Sequence, residues 1–405
     1  MTLSPHRLRA YSLALCAGAM LAPAAVSAGS ASFTPSLGTE LRYFPEDPAF
    51  AGQLSGVQSS LVLSGDGRWV SDDRKQRVRF EPFLRLDGRD GERTHFDIRE
   101  LSYTRRFDNG TDVLAGVGQI FWGVAESRNV VDVINQFDVV ENSDETDKLG
   151  QPMLRLGKFF DFGRIEAYYL PYFRERTFPG VNGRQRFALP FDTDNAEYER
   201  DGEEFAGDFA LRYTHQIDAF DIGLSAFHGT NRNPFFKPSA NGTRITPVYQ
   251  RLTQSGLDVQ WTEDAWLLKF ELIGARSGGD NFMAGVMGYE YTFFGITDSG
   301  MDLGILTEYL HDNRDSTRTA ASIFENDIFV GARLSWNDIA DSELLGGAIV
   351  DVETGATFGS VEYATRIADN YKLELEGQYL TAPGRDPVNS FDQDSNLIMR
   401  LTRYF

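Results

Sequence analysis

The fold class this sequence predicts is all-β: a transmembrane antiparallel barrel of about sixteen to eighteen strands, with one short helical loop folded inward. Three observations predict it. Segments of about ten residues alternate apolar and polar side chains along nearly the whole chain. Short turns and long loops take turns in joining them. No helical domain, linker, low-complexity tract or solenoid-length repeat breaks the pattern.

Residues 1–28 read as a cleaved secretory signal, which leaves 29–405 as one barrel domain. Arg7 and Arg9 form a basic start, Tyr11–Val26 is small and apolar, and Val26-Ser27-Ala28 is a small-x-small cleavage site. The apolar run is shorter than the roughly 20 residues that a spanning helix needs. Leu15 before Cys16 argues against lipid attachment. Cys16 is the only cysteine, so the mature chain is expected to have none, which suits an exported protein of a Gram-negative envelope. Losing Arg7 and Arg9 moves the formal charge from −20 to about −22. That sign, with no Lys/Arg-rich stretch against it, excludes nucleic acid as a partner.

The elements follow in order. Pro35–Phe44 is a first strand and Gln53–Ser64 a second. Arg77–Asp87 alternates most clearly: Val78, Phe80, Leu84 and Leu86 point one way, while Arg77, Arg79, Glu81, Arg85 and Asp87 point the other. Phe209–Thr214, Phe220–Ala226, Ile328–Trp336 and Tyr371–Tyr379 repeat the pattern. Aromatics crowd segment ends (Tyr168, Tyr169, Tyr172, Phe173, Trp261, Trp266, Tyr289, Tyr291, Phe293, Phe294), as lipid interfaces favour. Short turns at Asp108–Gly110, Asp161–Gly163, Ile217–Ala219, Thr262–Asp264, Phe294–Gly300, Asn337–Glu343 and Ala368–Asn370 alternate with the long connections Val124–Gln151, Arg174–Glu203, Gly229–Pro247, His311–Ser322 and Thr381–Asp394. Turns on one side and loops on the other mark a barrel with periplasmic turns and outward loops. The count is eighteen strands if Pro35–Phe44 is included and sixteen otherwise.

One tract changes period. Gly116–Asp147 begins as a strand and breaks at Gly123. Val130, Val131, Val133, Ile134 and Phe137 then recur at helical spacing, with Ser127 as the N-cap, before the carboxylates Glu141, Asp144, Glu145 and Asp147. Gly118, Gln119, Trp122, Gly123 and Glu126, followed by Ile134, Asn135 and Asp138, resemble a stretch in uncharacterised outer-membrane barrels of the porin and alginate-export kind. The C-terminal strand Ser395–Phe405, with Leu397, Met399, Leu401 and a final Phe405, resembles the signal that bacterial barrel-assembly machinery reads; Arg403 departs from its alternation.

The resemblance implies a pore in the Gram-negative outer membrane. Its partners would be lipid, lipopolysaccharide and small hydrophilic solutes, it would need no cofactor, and a homotrimer is the assembly general porins often adopt. Such pores narrow at an inward loop that sets carboxylates opposite wall arginines. The candidate loop carboxylates are Glu126, Asp132, Asp138 and Glu141. The candidate wall cations are Arg77, Arg79, Arg85 and Arg212, from a larger lumen set that includes Arg99, Arg155, Arg164, Arg333, Arg366 and Arg400. The loop Arg174–Glu203, basic then acidic, reads as self-paired and solvated. The histidines fall in no metal spacing, and neither a G-x-S-x-G elbow nor a P-loop occurs. His228 near Ser225 is the one formal hydrolytic pair, so no enzyme is expected. Alternatives to a passive channel are an exporter for an acidic sugar or polymer, guided by arginines, and a non-conducting barrel that the loop plugs.

Overall fold

The computed structural model describes residues 28–142, 144–384 and 386–405, so the expected leader lies outside them apart from Ala28. Eighteen antiparallel strands form one closed sheet. In chain order they are β1 Gly29–Phe44, β2 Gly56–Ser71, β3 Gln76–Asp87, β4 His95–Arg106, β5 Thr111–Gly118, β6 Gln151–Phe160, β7 Gly163–Leu170, β8 Asp208–Ile217 and β9 Phe220–Thr230. There follow β10 Arg251–Glu263, β11 Trp266–Ser277, β12 Asp280–Phe293, β13 Asp302–Asp312, β14 Asn326–Ser335, β15 Glu343–Asp351, β16 Thr357–Ala368, β17 Tyr371–Thr381 and β18 Asn396–Tyr404. Every strand pairs with its chain neighbours. β1 closes on β18, from Ser36 opposite Tyr404 to Tyr43 opposite Leu397. The first strand therefore counts, and it starts at Gly29, earlier than its alternation suggests.

The faces are inverted relative to a water-soluble sheet. In β1, Leu37, Leu41 and Tyr43 are exposed, whereas Ser36, Glu40 and Arg42 are buried. In β11, Trp266 and Leu268 face out and Lys269 and Glu271 face in. An exposed oily face around a polar interior is stable against lipid. Trp266, Tyr289 and Tyr291 gather at the short-turn rim, with Trp266 and Tyr291 centroids 4.6 Å apart. Tyr168 does not belong to that girdle. It faces the lumen, edge-on to Trp122 at 5.7 Å.

Turns and loops keep their sides with two exceptions. Gly278–Gly279, both at positive φ, joins β11 to β12 in two residues on the long-loop side. The second is the five-residue connection 352–356 between β15 and β16. Part of the outer surface is a small sheet formed by Phe235–Pro238, Ile245–Tyr249 and Glu197–Tyr198.

The predicted helix is absent. The described residues of 119–150 form an irregular loop of turns and bends, with an isolated bridge between Phe137 and Lys148. Its β-branched Val130, Val131, Val133 and Ile134, interspersed with Asn129, Asp132 and Asn135, have poor helix propensity. Its backbone donors also find wall side chains instead of helical carbonyls. Ser127 is no N-cap: its N–H and Oγ both donate to Glu308, at 2.8 and 2.5 Å.

One irregularity in the wall aims two charges. Where Glu81 of β3 pairs with Glu100 and Pro82 with Ile98, Arg99 is the extra residue of a bulge on β4. Pro82, with no N–H to donate, tolerates the broken ladder. The bulge lets consecutive residues serve one face: Arg99 reaches Asp138 at 2.7 Å and Glu100 reaches Arg79 at 3.2 Å.

Candidate functional site

The third outward connection, 119–150, lies within the barrel and is fastened at both ends. Its first half docks on β11 to β14. Glu271 accepts from the N–H groups of Val124 at 2.7 Å, Ala125 at 2.9 Å and Val131 at 3.3 Å, and Glu308 accepts from Glu126 and Ser127, each at 2.8 Å. Gly123, at φ 126°, makes this approach workable, because a Cβ there would collide with a Glu271 carboxylate oxygen and with Asn129. Trp122, Val131, Val133 and Ile134 then fill an apolar patch on the inner wall with Leu114, Met153, Leu170, Phe227, Ile273 and Phe282. The apolar stripe seen in the sequence is real, but it packs without a helix.

The loop's tail crosses to β1–β4 and meets a guanidinium cluster. Arg85 grips Glu141 in a fork at 2.7 and 2.5 Å, and Arg99 holds Asp138 at 2.7 Å. Arg93 donates to the carbonyl of Val140 at 2.6 Å, and Arg42 to that of Glu141 at 3.0 Å. Asn142 donates to Glu376 at 3.0 Å.

The sequence-predicted residues thus divide. Asp138 and Glu141 are buried, Asp132 is half-buried with its carboxylate covered, and all three are paired: Asp132 to Lys148, Asp138 to Arg99, His95 and Thr177, and Glu141 to Arg85. Glu126 alone of the four is partly open, bridging Lys269 at 3.3 Å and Arg333 at 2.8 Å. Of the four candidate wall cations Arg77, Arg79, Arg85 and Arg212, only Arg85 and Arg212 touch the loop, and from the larger lumen set Arg99 and Arg333 reach it as well. Arg212 forks Asp258 at 2.5 and 2.8 Å and stacks on Trp122, 5.2 Å from the ring centre. Arg79 pairs within the wall, with Glu81 at 2.5 Å and Glu100 at 3.2 Å, and Arg77 is exposed near the turn end of β3.

Sequence reasoning missed Glu271, Glu308 and Lys269, which carry no local signal that sets them apart from other strand residues. Asp144 and Asp147 of the tail cluster and the lumen-facing Glu362, all legible in the sequence, form no ion pair among the described residues. Oxygens of Asp144, Glu362 and Glu376 lie within 4.8 Å of one another, and Arg400 pairs with Glu376 at 2.9 Å. The inward position of Glu362 opposite Glu376 on β17 was readable from alternation.

The fourth outward connection, 171–207, also folds inward, contrary to the self-paired surface loop expected from sequence. Arg174 reaches Asp97 at 2.7 Å, Arg184 is buried against Asp394 at 2.6 Å, and Arg186 donates to four main-chain carbonyls. Gly180 donates to Asp90 at 3.0 Å in the β3–β4 turn. Burial there pushes the Asp90 carboxyl above the usual carboxylate range, against the opposing pull of the Gly180 and Glu92 N–H groups. Ser225 and His228, three residues apart on β9, fall on opposite faces, and His228 meets Thr253 at 2.8 Å.

No protein-family model and no curated protein sequence matches this chain. Solved structures do. A BenF-like porin from Pseudomonas fluorescens Pf-5 is similar over 93% of this chain and 98% of its own, at 10% identity and a TM-score of 0.55. OmpT, an outer membrane protein of Vibrio cholerae in trimer form, matches over 94% and 100% at 13% identity, with a TM-score of 0.46. Pseudomonas putida OprB matches over 93% and 94% at 10% identity, with a TM-score of 0.44. The likeness to the BenF-like porin is one of fold, and the fold is porin-like.

Proposed function

We propose that this chain is a passive channel of the Gram-negative outer membrane for small hydrophilic solutes. The observation that carries the proposal is the inward loop itself. A wide barrel with a polar interior is narrowed by a segment that the wall holds through a ring of charged and backbone contacts. Such construction serves a defined aperture.

The open charges on that aperture are mainly carboxylates. Among the described residues Asp144, Asp147 and Glu362 have no ion pair, whereas Glu126 is taken up by Lys269 and Arg333, so cations are the favoured ions. The exporter reading for an acidic polymer needs a free basic track. Arg85, Arg155, Arg164, Arg212, Arg333 and Arg400 each face a carboxylate instead.

Planar-bilayer conductance and liposome swelling by the purified barrel test the proposal. Absence of both in the wild type would sink it. The plugged-barrel reading predicts silence in the wild type and conductance only after deletion of residues 124–151.

A further inference from the structure

The tail of the inward loop rests on a histidine whose surroundings fit one protonation state. His95, the first residue of β4, is 5% exposed beneath Asp138 and Glu141. Its Nδ1 lies 3.0 Å from the main-chain oxygen of Arg93. Its Nε2 lies 3.1 Å from an Asp138 oxygen and 3.6 Å from a Glu141 oxygen. Both ring nitrogens therefore meet oxygen acceptors, and an imidazolium with two N–H groups satisfies both. A neutral ring would aim a lone pair at either a carbonyl or a carboxylate.

The charged groups around it are few and placed. From the loop come Asp138 and Glu141, with Asp147 behind them. From β3 come Arg85, on Glu141, and the Phe83 ring, 5.5 Å from the imidazole. From β4 come Arg99, on Asp138, and Asp97. From β1 comes Glu40, which takes up Arg93 at 2.8 Å and Arg85 at 3.3 Å. The guanidiniums keep their charge at any ordinary pH, so the members of the cluster that change state under mild conditions are His95 and Asp147, whose carboxyl is pushed up to about 6 by burial, and only His95 touches both loop carboxylates.

We propose that His95 is a proton-sensitive latch for the loop. Protonated, it fastens Asp138 and Glu141 inside the lumen. Deprotonated, it loses its positive charge and one of its two N–H donors, which sets a lone pair against the Arg93 carbonyl or the Asp138 carboxylate, so the hold on the tail weakens and the aperture widens.

The test uses a buried reporter. Val140 is 4% exposed between the two carboxylates, and Thr146 is exposed. Single-cysteine Val140→Cys and Thr146→Cys variants are labelled with a maleimide at about pH 6 and about pH 9, either side of an ordinary histidine. Loss of one hydrogen bond to a charged group shifts the docked fraction roughly tenfold or more. Labelling of Val140→Cys should therefore accelerate by about that factor beyond the thiolate effect read from Thr146→Cys. His95→Gln, neutral throughout, should remove the excess. Labelling at Val140→Cys that tracks Thr146→Cys in the wild-type background would overturn the latch without recourse to the His95 variant. Retention of the excess in His95→Gln would also overturn it.

Conductance that rises across the same pH range in the wild type but stays flat in His95→Gln adds support. That readout rests on the channel reading, whereas labelling does not. A labelling response from a silent barrel would keep the latch and reject the channel.

Discussion

Similar ion pairs in this molecule differ in worth according to where they sit. Arg85 and Glu141 are both buried and doubly bonded, whereas Arg79 and Glu81 are partly open to solvent. Glu141→Gln leaves a buried guanidinium with Glu40 alone at 3.3 Å, a loss of roughly 3–5 kcal/mol by the general cost of breaking a buried pair. Glu81→Gln should cost less than about 1 kcal/mol. Urea unfolding of the refolded barrel in lipid vesicles reads both, and equal midpoints would contradict the ranking. Asp90 makes a pH-dependent case. Its carboxyl titrates higher folded than unfolded, so the folded state binds the extra proton and the contribution is full at low pH. It declines as pH climbs past the ordinary carboxylate value of about 4. Asp90→Asn keeps an acceptor for Gly180 and carries no charge. Its urea midpoint should match wild type near pH 4 and exceed it at pH 7. A variant weaker than wild type at pH 7 would show that the charge itself holds the 171–207 connection.

At the scale of elements, the decisive contacts run from wall side chain to loop backbone. Glu271 satisfies three N–H groups, each of which costs about 1–3 kcal/mol if left buried and unpaired. Glu271→Ala should free residues 123–131, seen as new protease cleavage there, while the strand content measured by circular dichroism stays unchanged. Gly123→Ala should do the same through collision rather than lost bonding. This also explains what could be read from the chain beforehand. Strands were legible because alternation recurs along the chain, as in Val78–Leu86, and turn-versus-loop length fixed their direction. The inward tract was legible as a change of period. Its conformation was not, because Val130–Ile134 is apolar at helical spacing for packing reasons alone, and the groups that replace a helical ladder, Glu271 and Glu308, lie more than a hundred residues away. The buried state of Asp138 and Glu141 was hidden for the same reason: their partners come from other elements. Gly278–Gly279 and residues 352–356 show the limit of the turn rule, since two connections on the long-loop side are as short as the turns opposite.

For the whole molecule, the sorting of lumen charges into consumed and open ones sets what should pass. Asp138 and Glu141 are spent on holding the loop, and the wall arginines facing them are spent likewise. On the channel reading, the field at the opening therefore comes from Asp144, Asp147 and Glu362, since Glu126 is spent on Lys269 and Arg333. A carboxylate about 5 Å from a permeating monovalent ion in water is worth roughly 1 kcal/mol, a several-fold bias per group. The wild type should show a cation-directed reversal potential across a potassium chloride gradient. Asp144→Asn with Glu362→Gln should reduce the cation-to-anion permeability ratio several-fold without added current noise, since neither group pins the loop by an ion pair. Neutralising Asp138 instead should raise the noise and leave the ratio nearly fixed, because its charge is already cancelled by Arg99. If the two variants exchanged these effects, the open and spent carboxylates would have been assigned the wrong way round, and Asp138 would face the permeating ion directly.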